Sequence, residues 1–329
     1  MRKIFLQTLI AVLVLLNFST TSAMSEWSLP QEGMKLDGAA KQRYIKSQMD
    51  VIFHRKPATQ PHPFEKFETP KGWSYQKFEI DGAKTELLEN PNATTDRVVL
   101  QLHGGGYVLA LDDGYRNLGY VHGVLADASK VYFVDYRTAP ENLYPAALED
   151  AVKVYQKILA DGVDPAKIIV VGDSAGGNLT LELSLYLKAN NIPQPNCLIL
   201  ISPWTTAETS MPSRSYNASR DLILGRGTPL YESVKNPIYA KGHNKKDWHI
   251  SPVYADLKGL PPMLIQVGGY ELFLDESLAL AKKAAADNVK VTLTVYPAMS
   301  HDFALLLPQL QESVDSFREI RDFINLNVE

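Results

Sequence analysis

A serine set between glycines is the strongest chemical signal in the sequence. Residues 172–176 read Gly-Asp-Ser-Ala-Gly, directly after an apolar, strand-like run and before a helix-like run that starts near Asn178. In that context the pattern is typical of a sharp turn that holds a serine hydroxyl clear of a sheet, at the positive end of the next helix. Glycines at both ends of the motif let the neighbouring chain pass closely. Ser174 is therefore the predicted nucleophile, and the alternative is a turn that serves only packing or phosphate binding.

Backbone donors for a developing negative charge are the second signal. His103 and three consecutive glycines, residues 104–106, directly follow the apolar run Val98–Leu102. Consecutive glycines let N–H groups point into a cavity without side-chain obstruction, and acyl transfer requires such donors where the oxyanion develops. We predict an oxyanion hole made of the N–H groups of Gly104, Gly105 and Ala175, and the alternative is a flexible glycine turn.

A serine nucleophile needs a base to take its proton and an acid to orient that base. After a nucleophile turn of this kind, the acid and then the histidine follow the serine along the chain. His301 satisfies this order, in a loop after the last strand-like run. Glu271 comes first in the loop after the preceding run, whereas Asp275 and Glu276 resemble capping residues of the next helix. His301 is the predicted base and Glu271 the predicted acid, with Asp275 as the alternative acid.

The elements that must position these residues alternate along the chain. Six short apolar runs are bounded by Gly, Pro or polar residues, and apolar residues recur at helical spacing between them. The runs cover residues 98–102, 131–135, 168–171, 197–201, 263–267 and 291–295. Apolar runs without alternation suggest strands that are buried on both faces. The pattern predicts an α/β architecture with a mostly parallel sheet flanked by helices.

Apolar spacing also predicts the inward faces of the later helices. Leu278, Ala281 and Ala285 recur at helical spacing, and a final helix is predicted over residues 314–324. We expect both helices to turn these apolar faces toward the sheet.

Two segments, residues 25–70 and 205–260, interrupt the alternation of strands and helices. Both contain prolines, and the second also contains several Gly, Tyr and Trp residues. A stretch of that length in a compact domain usually carries function or helices of its own. Since open α/β sheets bind ligands at the carboxyl ends of their strands, we expect a cap there. The cap would be built from the N-terminal segment and from an insertion, residues 205–260, after the sixth strand.

The first residues match a secretory signal peptide. Arg2 and Lys3 precede an apolar run, residues 4–18, and a small polar stretch ends at Ala23. The run is short for a membrane span, which needs about 20 apolar residues. We predict cleavage after Ala23 and export to the periplasm or the medium, and the alternative is an uncleaved membrane anchor. The predicted organisation is a signal peptide at 1–23, an N-terminal cap segment at 24–72 and a catalytic domain at 73–329.

Composition and charge narrow the class of protein. The chain has 329 residues, of which 45% are hydrophobic and 21% charged, and its formal net charge is −4. Such a composition is typical of a globular domain, and no long Lys/Arg block offers a cationic face to a nucleic acid. The single cysteine, Cys197, lies in an apolar run, so we predict a buried, unreactive thiol without an internal disulfide. No histidine is spaced with Cys or acidic residues as in a zinc site, and no cofactor is expected.

Together these motifs resemble the hormone-sensitive lipase family of esterases and lipases, from about Trp73 to the C terminus. The serine motif reads in full Gly-Asp-Ser-Ala-Gly-Gly-Asn, the family's Tyr-Arg-x-Ala-Pro-Glu stands at residues 136–141, and its Ser-Pro-Trp stands at 202–204. The resemblance implies an α/β-hydrolase fold and ester hydrolysis without a metal or cofactor. It also assigns substrate binding to Tyr107, after the His-Gly-Gly-Gly motif, and to Trp204.

Two positions depart from the family pattern. Many relatives carry Asp-Pro-Leu where this chain has Glu-Leu-Phe at 271–273, so Glu271 is assigned by resemblance to a branch that uses Glu. The family's histidine is usually followed by Gly, whereas Asp302 follows His301 here. A second carboxylate near the base would alter the pKa of His301, in a direction set by distance and burial.

The predicted activity is that of a serine carboxylesterase, which cleaves short to medium acyl esters through an acyl-enzyme. An amide deacetylase or peptidase on the same triad is the first alternative, and a non-catalytic ligand-binding protein of this fold is the second. Cationic residues in the insertion, among them Arg214, Arg220, Lys235 and Lys241, disfavour the apolar lid of a long-chain lipase. The expected partner is a small-molecule ester, and no nucleic-acid partner is expected. We expect no membrane span in the mature chain, and assembly as a homodimer is left open.

Overall fold

A computed structural model of the protein describes residues 27–54 and 66–329. The predicted signal peptide, residues 1–23, lies outside these described residues. Within them, no helix combines the length and the apolar character that crossing a membrane requires.

Eight strands form one sheet in the order β1-β2-β4-β3-β5-β6-β7-β8. The strands are β1 (Ser74–Ile80), β2 (Ala83–Glu89), β3 (Val98–Leu102), β4 (Lys130–Asp135), β5 (Ile168–Asp173), β6 (Cys197–Ile201), β7 (Met263–Gly268) and β8 (Val291–Tyr296). β2 is antiparallel to both of its neighbours, and the remaining pairs are parallel. The predicted mostly parallel α/β sheet and all six predicted runs are confirmed.

The described helices flank this sheet or lie in the long connections. They are α1 (Gly38–His54), α2 (Asp113–Ala126), α3 (Ala146–Ala160), α4 (Ser174–Ala189), α5 (Ser213–Tyr216), α6 (Tyr231–Lys235), α7 (Leu274–Ala286), α8 (Phe303–Leu306) and α9 (Gln311–Asn327). The short helices α5 and α6 belong to the insertion that follows β6, the sixth strand along the chain.

The strands at the centre of the sheet explain why the functional loops meet. Every residue of β3, β5 and β6 is buried, as expected for strands covered on both faces. β5 lies between β3 and β6, with Gly172 opposite Leu102 on one side and Leu200 on the other. The loops that follow these three strands therefore leave the sheet side by side.

The antiparallel hairpin of β1 and β2 was not predicted. β1 reads Ser-Tyr-Gln-Lys-Phe-Glu-Ile, and most of its side chains are at least partly exposed because it is the edge strand of the sheet. An edge strand with charged side chains gives no continuous apolar run, and such charges protect the edge from pairing with other chains.

The predicted inward face of α7 is partly wrong. Leu278 is 40% exposed and Ala285 also faces solvent, whereas Leu280, Ala281 and Ala284 are buried. The buried face is displaced around the helix because two polar residues of its first turn, Glu276 and Ser277, are also buried. The last helix, α9, does turn Phe317, Ile320 and Ile324 inward.

The described part of the N-terminal segment packs against the C-terminal part of the chain. Met34 exchanges backbone hydrogen bonds with Gln309 and Gln311, at the start of α9. Gln42 on α1 donates to the carbonyl of Ala298, in the loop that carries His301. Ile45 of the same helix is fully buried. This segment therefore supports the back of the His301 loop.

Cys197 begins β6 and its side chain is fully buried. Burial raises the pKa of its thiol to about 12, so the reactive thiolate is scarce at neutral pH. We expect the native protein to resist dithionitrobenzoate and the guanidinium-denatured protein to react with one equivalent of reagent. Equal reaction rates in the native and the denatured protein would contradict the predicted burial.

Candidate active site

Ser174 occupies a backbone conformation that few residues other than glycine adopt. Its φ is +52°, in the left-handed region, at the first residue of α4. A Cβ on Gly172 would lie 2.2 Å from the carbonyl oxygen of Gly176, and one on Gly176 would lie 2.0 Å from that of Leu102. Glycine is therefore required at both positions. The turn is held in its strained form by its fit against β3.

His301 lies in the loop after β8 and reaches across to the serine. Its Nε2 is 2.9 Å from Ser174 Oγ, a hydrogen-bonding distance. Both side chains are largely buried, with exposed fractions of 8% for Ser174 and 3% for His301. A neutral His301 can therefore accept the serine proton directly.

Glu271, the earliest acid after β7, contacts the other nitrogen of the ring. Its Oε2 is 3.2 Å from His301 Nδ1, while its Oε1 accepts hydrogen bonds from the Ser202 hydroxyl and from the Gly268 N–H. Burial raises the pKa of Glu271, and the contacts with His301 and Ser202 act in the opposite direction. The carboxylate is thus fixed in the orientation that holds a proton on Nδ1.

Asp275, the alternative acid, does not contact His301. Its carboxylate accepts hydrogen bonds from the backbone N–H of Ser213 and from the Tyr216 hydroxyl. Asp275 and Glu276 do not cap α7, contrary to the prediction, because Phe273 occupies the cap position. Both acids lie in the first turn of the helix and accept hydrogen bonds from the insertion. Of the two acids considered, Glu271 is the one brought to His301.

The glycine loop after β3 lies beside the serine turn. Gly105 and Gly106 have φ angles of +97° and +65°, and a Cβ on Gly104 would lie 2.1 Å from a carboxylate oxygen of Asp173. The N–H groups of Gly104 and Gly105 donate no hydrogen bond to another group in the described part of the chain. Ala175 is in the first turn of α4, where N–H groups have no partner within the helix. Three backbone donors are thus available beside Ser174.

His103 shapes this loop from within the core. It is fully buried, its Nδ1 is 2.8 Å from the Gly104 carbonyl oxygen, and its ring stacks on Tyr136 at 4.0 Å between centroids. The Tyr136 hydroxyl in turn donates to the His103 carbonyl. Burial lowers the pKa of His103 to about 4, so the ring is neutral at physiological pH. Its contacts indicate that it supports the loop rather than taking part in proton transfer.

A cavity of about 250 Å³ opens beside Ser174 and His301. Its walls are mainly apolar and come from the glycine loop, the insertion and the segment after His301. They include Val108, Leu109, Ile223, Leu224, Leu230, Val234, Leu305 and Leu306. Polar groups of the lining come from Asp112, Asp302, Tyr115 and Ser233, and no Lys or Arg is among its described residues.

In residues 27–54 and 66–329, no three side chains of His, Cys, Asp or Glu converge as metal ligands would.

Asp302 brings a second carboxylate to the histidine. Its Oδ2 is 3.0 Å from His301 Nε2, the same nitrogen that faces Ser174. Burial disfavours a charged His301 ring, but the charge of Asp302 and then the contact with Glu271 outweigh burial and raise the pKa of His301 well above its ordinary value. The sequence predicts a second carboxylate near the base, and in the structure this carboxylate raises the pKa of His301.

Known proteins similar to this chain were found by sequence and by structure. A family model described as an alpha/beta hydrolase fold matches residues 99–305, more than half of the chain. An esterase from Acinetobacter venetianus is 33% identical over 281 residues, which cover 85% of this chain and 87% of that protein. An acetyl-hydrolase from Streptomyces hygroscopicus is 33% identical over 222 residues, which cover 68% and 73% of the two chains. The crystal structure of an esterase from the bacterial hormone-sensitive lipase family superimposes with a TM-score of 0.77 at 30% identity, covering 89% of this chain and all of that chain.

This chain belongs to the hormone-sensitive-lipase-like family of α/β-hydrolases. The predicted family and fold are thereby confirmed. Within this α/β-hydrolase, Trp204 lines the cavity as expected, with its backbone N–H donating to the Ser174 carbonyl.

Tyr107 does not line the cavity of this α/β-hydrolase, contrary to the substrate-binding role expected for it. It is fully buried, its ring stacks on Tyr239 at 3.8 Å, and its hydroxyl donates to the Asn178 side chain. Its φ of +61° continues the unusual backbone of the glycine loop. Tyr107 therefore fixes the loop against α4 and the insertion.

Sequence reasoning did not identify the polar residues that tie the insertion of this α/β-hydrolase to the acid loop. Asn217 donates to the carbonyl of Glu271, and Asp221 accepts the N–H of Leu272. Buried Arg214 pairs with buried Glu276 at 3.0 Å. Polar residues that are buried must find partners. The sequence shows no sign of this burial, because Asn217 and Asp221 stand in a mostly polar stretch, Ser-Tyr-Asn-Ala-Ser-Arg-Asp.

Exchanging each acid for its amide distinguishes Glu271 from Asp275 in this α/β-hydrolase. Glu271→Gln removes the charge that orients His301, and we expect kcat to fall by roughly 10²–10⁴-fold. Asp275→Asn leaves the contacts of His301 intact. It weakens two hydrogen bonds to α5, so we expect a stability loss of about 0.5–1.5 kcal/mol for each bond and a kcat near that of the wild type.

The measurement is ester hydrolysis beside urea unfolding for both variants. The reverse pattern, with Asp275→Asn inactive and Glu271→Gln active, would transfer the role of the acid to Asp275.

Proposed function

We propose that this protein hydrolyses short- to medium-chain carboxylic esters in two steps, through an acyl-enzyme on Ser174. Its class, that of a carboxylic ester hydrolase, follows from its family and from relatives named esterase and acetyl-hydrolase. The observation that carries the two-step route is the 2.9 Å contact between His301 Nε2 and Ser174 Oγ, both of which line an apolar cavity.

In the first step, Ser174 Oγ attacks the ester carbonyl while its proton passes to His301 Nε2. The carbonyl oxygen becomes an oxyanion, for which the N–H groups of Gly104, Gly105 and Ala175 are the available donors. Loss of one such donor typically raises the barrier by about 3–4 kcal/mol, so the loop contributes a large part of catalysis. Glu271 stabilises the imidazolium through Nδ1, and the leaving alcohol takes the proton from Nε2 as the C–O bond breaks.

In the second step, water replaces the alcohol. His301, neutral again, accepts a water proton through Nε2 as the hydroxide attacks the acyl carbonyl. The tetrahedral intermediate then collapses, Ser174 Oγ leaves with the proton from Nε2, and the carboxylic acid is released. The same three residues thus serve both steps, with no group consumed.

The cavity supports a short or medium acyl chain as the substrate class. A volume of about 250 Å³ lined by Leu and Val side chains matches a small apolar group better than a long-chain triglyceride. The insertion over this cavity is held by buried polar contacts, including the Arg214–Glu276 pair, rather than by a loosely packed apolar lid. We therefore expect neutral, compact esters to be preferred.

A p-nitrophenyl ester series from acetate to palmitate tests this proposal. We expect kcat/KM to be highest among the short and medium acyl chains and to fall steeply toward palmitate, because the longer chain exceeds the cavity. Ser174→Ala removes the nucleophile and is expected to lower kcat by at least about 10³-fold, with an unchanged circular dichroism spectrum.

A matched acetanilide, measured in parallel, separates ester from amide hydrolysis. Preference of the wild-type protein for the anilide would support an amidohydrolase. Full activity of a folded Ser174→Ala protein would exclude the acyl-enzyme on this serine.

We also propose that residues 1–23 direct export and are then removed. The support is their order, with Arg2 and Lys3 before an apolar run and small residues up to Ala23. We expect the protein made from the full chain in a bacterial host to appear in the periplasm or medium, with an N terminus near Met24. Cell fractionation with N-terminal sequencing measures this, and an intact N terminus in the membrane fraction would indicate an anchor.

A further inference from the structure

Asp302 occupies a position at which a side chain is costly. Its φ is +48°, in the left-handed region that favours glycine. The residue is only 6% exposed, and its Oδ1 has no hydrogen-bonding partner among the described residues, although its Oδ2 is 3.0 Å from His301 Nε2. A strained backbone and a buried carboxylate are both unfavourable, so their occurrence at the reacting nitrogen calls for a functional explanation.

We propose that Asp302 is a further catalytic residue, which shares the Nε2 proton of His301 with Ser174 and holds the resting enzyme as a His301–Asp302 ion pair. The inference rests on the proposed roles of Ser174 and His301. It follows from two nearly equal distances at one nitrogen, 2.9 Å to Ser174 Oγ and 3.0 Å to Asp302 Oδ2.

The charges around the ring act in one direction. Glu271, from the loop after β7, faces Nδ1, and Asp221 of the insertion lies behind Glu271. Asp173, which precedes Ser174, lies close enough to interact with both Asp302 and His301. Among the described residues of the cavity there is no Lys or Arg that would offset these acids. The surroundings of His301 therefore favour its charged form.

Asp173 is a weaker competitor for the imidazolium than Asp302. It is buried beneath the glycine loop and accepts a hydrogen bond from Tyr115 through Oδ2. Burial first, and then the charge of Asp302, raise the pKa of Asp173 well above its usual range. The raised pKa disfavours the charged form of Asp173, whereas Asp302 is the carboxylate that contacts Nε2.

The ion pair has a defined consequence for the reaction. Only a neutral His301 can accept the Ser174 proton, so the resting ion pair must first lose its Nε2 proton to solvent. That requirement moves the acid limb of the activity profile to higher pH. During acylation, the proton that leaves Ser174 Oγ again forms an imidazolium, which Asp302 stabilises until the leaving alkoxide takes the proton.

The test compares pH profiles of kcat/KM for the wild type, Asp302→Asn and Asp302→Gly on p-nitrophenyl butyrate. Removing the charge lowers the pKa of His301, so the neutral base is available at lower pH. We expect the acid limb of both variants to move down by about one pH unit or more, a roughly tenfold gain relative to the wild type at the foot of that limb.

The matched charge control is Asp322→Asn. Asp322 is exposed on α9, pairs with its neighbour Arg321 and does not line the cavity. This variant changes the net charge by the same amount, and we expect it to leave the acid limb where it is in the wild type.

A second measurement does not depend on activity. In protein labelled with ¹³C at histidine Cε1, the His301 resonance is identified by its absence from a His301→Gln variant. We expect this resonance to titrate at higher pH in the wild type than in Asp302→Asn or Asp302→Gly, whichever of these folds.

Identical titration of His301, or a uniform loss of activity at every pH in both Asp302 variants, would overturn the role of Asp302 and leave it a structural one. These results are distinct from failure of the proposed function, which is shown by activity in Ser174→Ala. If neither Asp302 variant folds, an ordinary titration of His301 in the wild type would itself overturn the inference.

Discussion

At the carboxyl end of β5 the chain passes so close to β3 that no side chain fits between them. A Cβ on Gly176 would lie 2.0 Å from the Leu102 carbonyl oxygen, and one on Gly104 would meet Asp173. This approach forces the left-handed conformation of Ser174 and places the glycine loop beside it. The serine and the backbone donors are thus set by packing at the centre of the sheet, and side chains contributed by other loops must adapt to them.

A carboxylate faces each nitrogen of His301, in a site that is almost fully buried. Glu271 faces Nδ1 and Asp302 faces Nε2, and both carboxylates are buried. Leaving a buried charge without a partner is strongly unfavourable, so this group of residues is stable only as a unit. The insertion completes the unit, because Asn217 and Asp221 fix the backbone on either side of the acid.

The sequence was sufficient for features that depend on local backbone requirements. Five of the six apolar runs form strands that are largely buried, and the sixth forms the partly exposed edge strand β8. Gly172 and Gly176 marked the turn because nothing larger fits. Features that depend on contacts between distant parts of the chain were harder to predict from the sequence. The spacing of Leu278, Ala281 and Ala285 could not show that polar residues of α7 turn toward the insertion, and the place of Tyr107 after the glycines could not show that its ring is drawn to Tyr239. The hairpin was missed because charged and polar residues interrupt the apolar residues of both strands, Ser-Tyr-Gln-Lys-Phe-Glu-Ile in β1 and Ala-Lys-Thr-Glu-Leu-Leu-Glu in β2.

Ser202 connects the two carboxylates that face His301. Its hydroxyl donates to Glu271 Oε1 at 2.7 Å and accepts the backbone N–H of Asp302 at 3.1 Å. Its own φ of +45° places it in the left-handed region, directly after β6. One hydroxyl at the end of a central strand therefore positions the acid on Nδ1 and the residue that supplies the carboxylate on Nε2. Because β6 pairs in register with β5, Ser202 positions both acids relative to the strand that ends in the Ser174 turn.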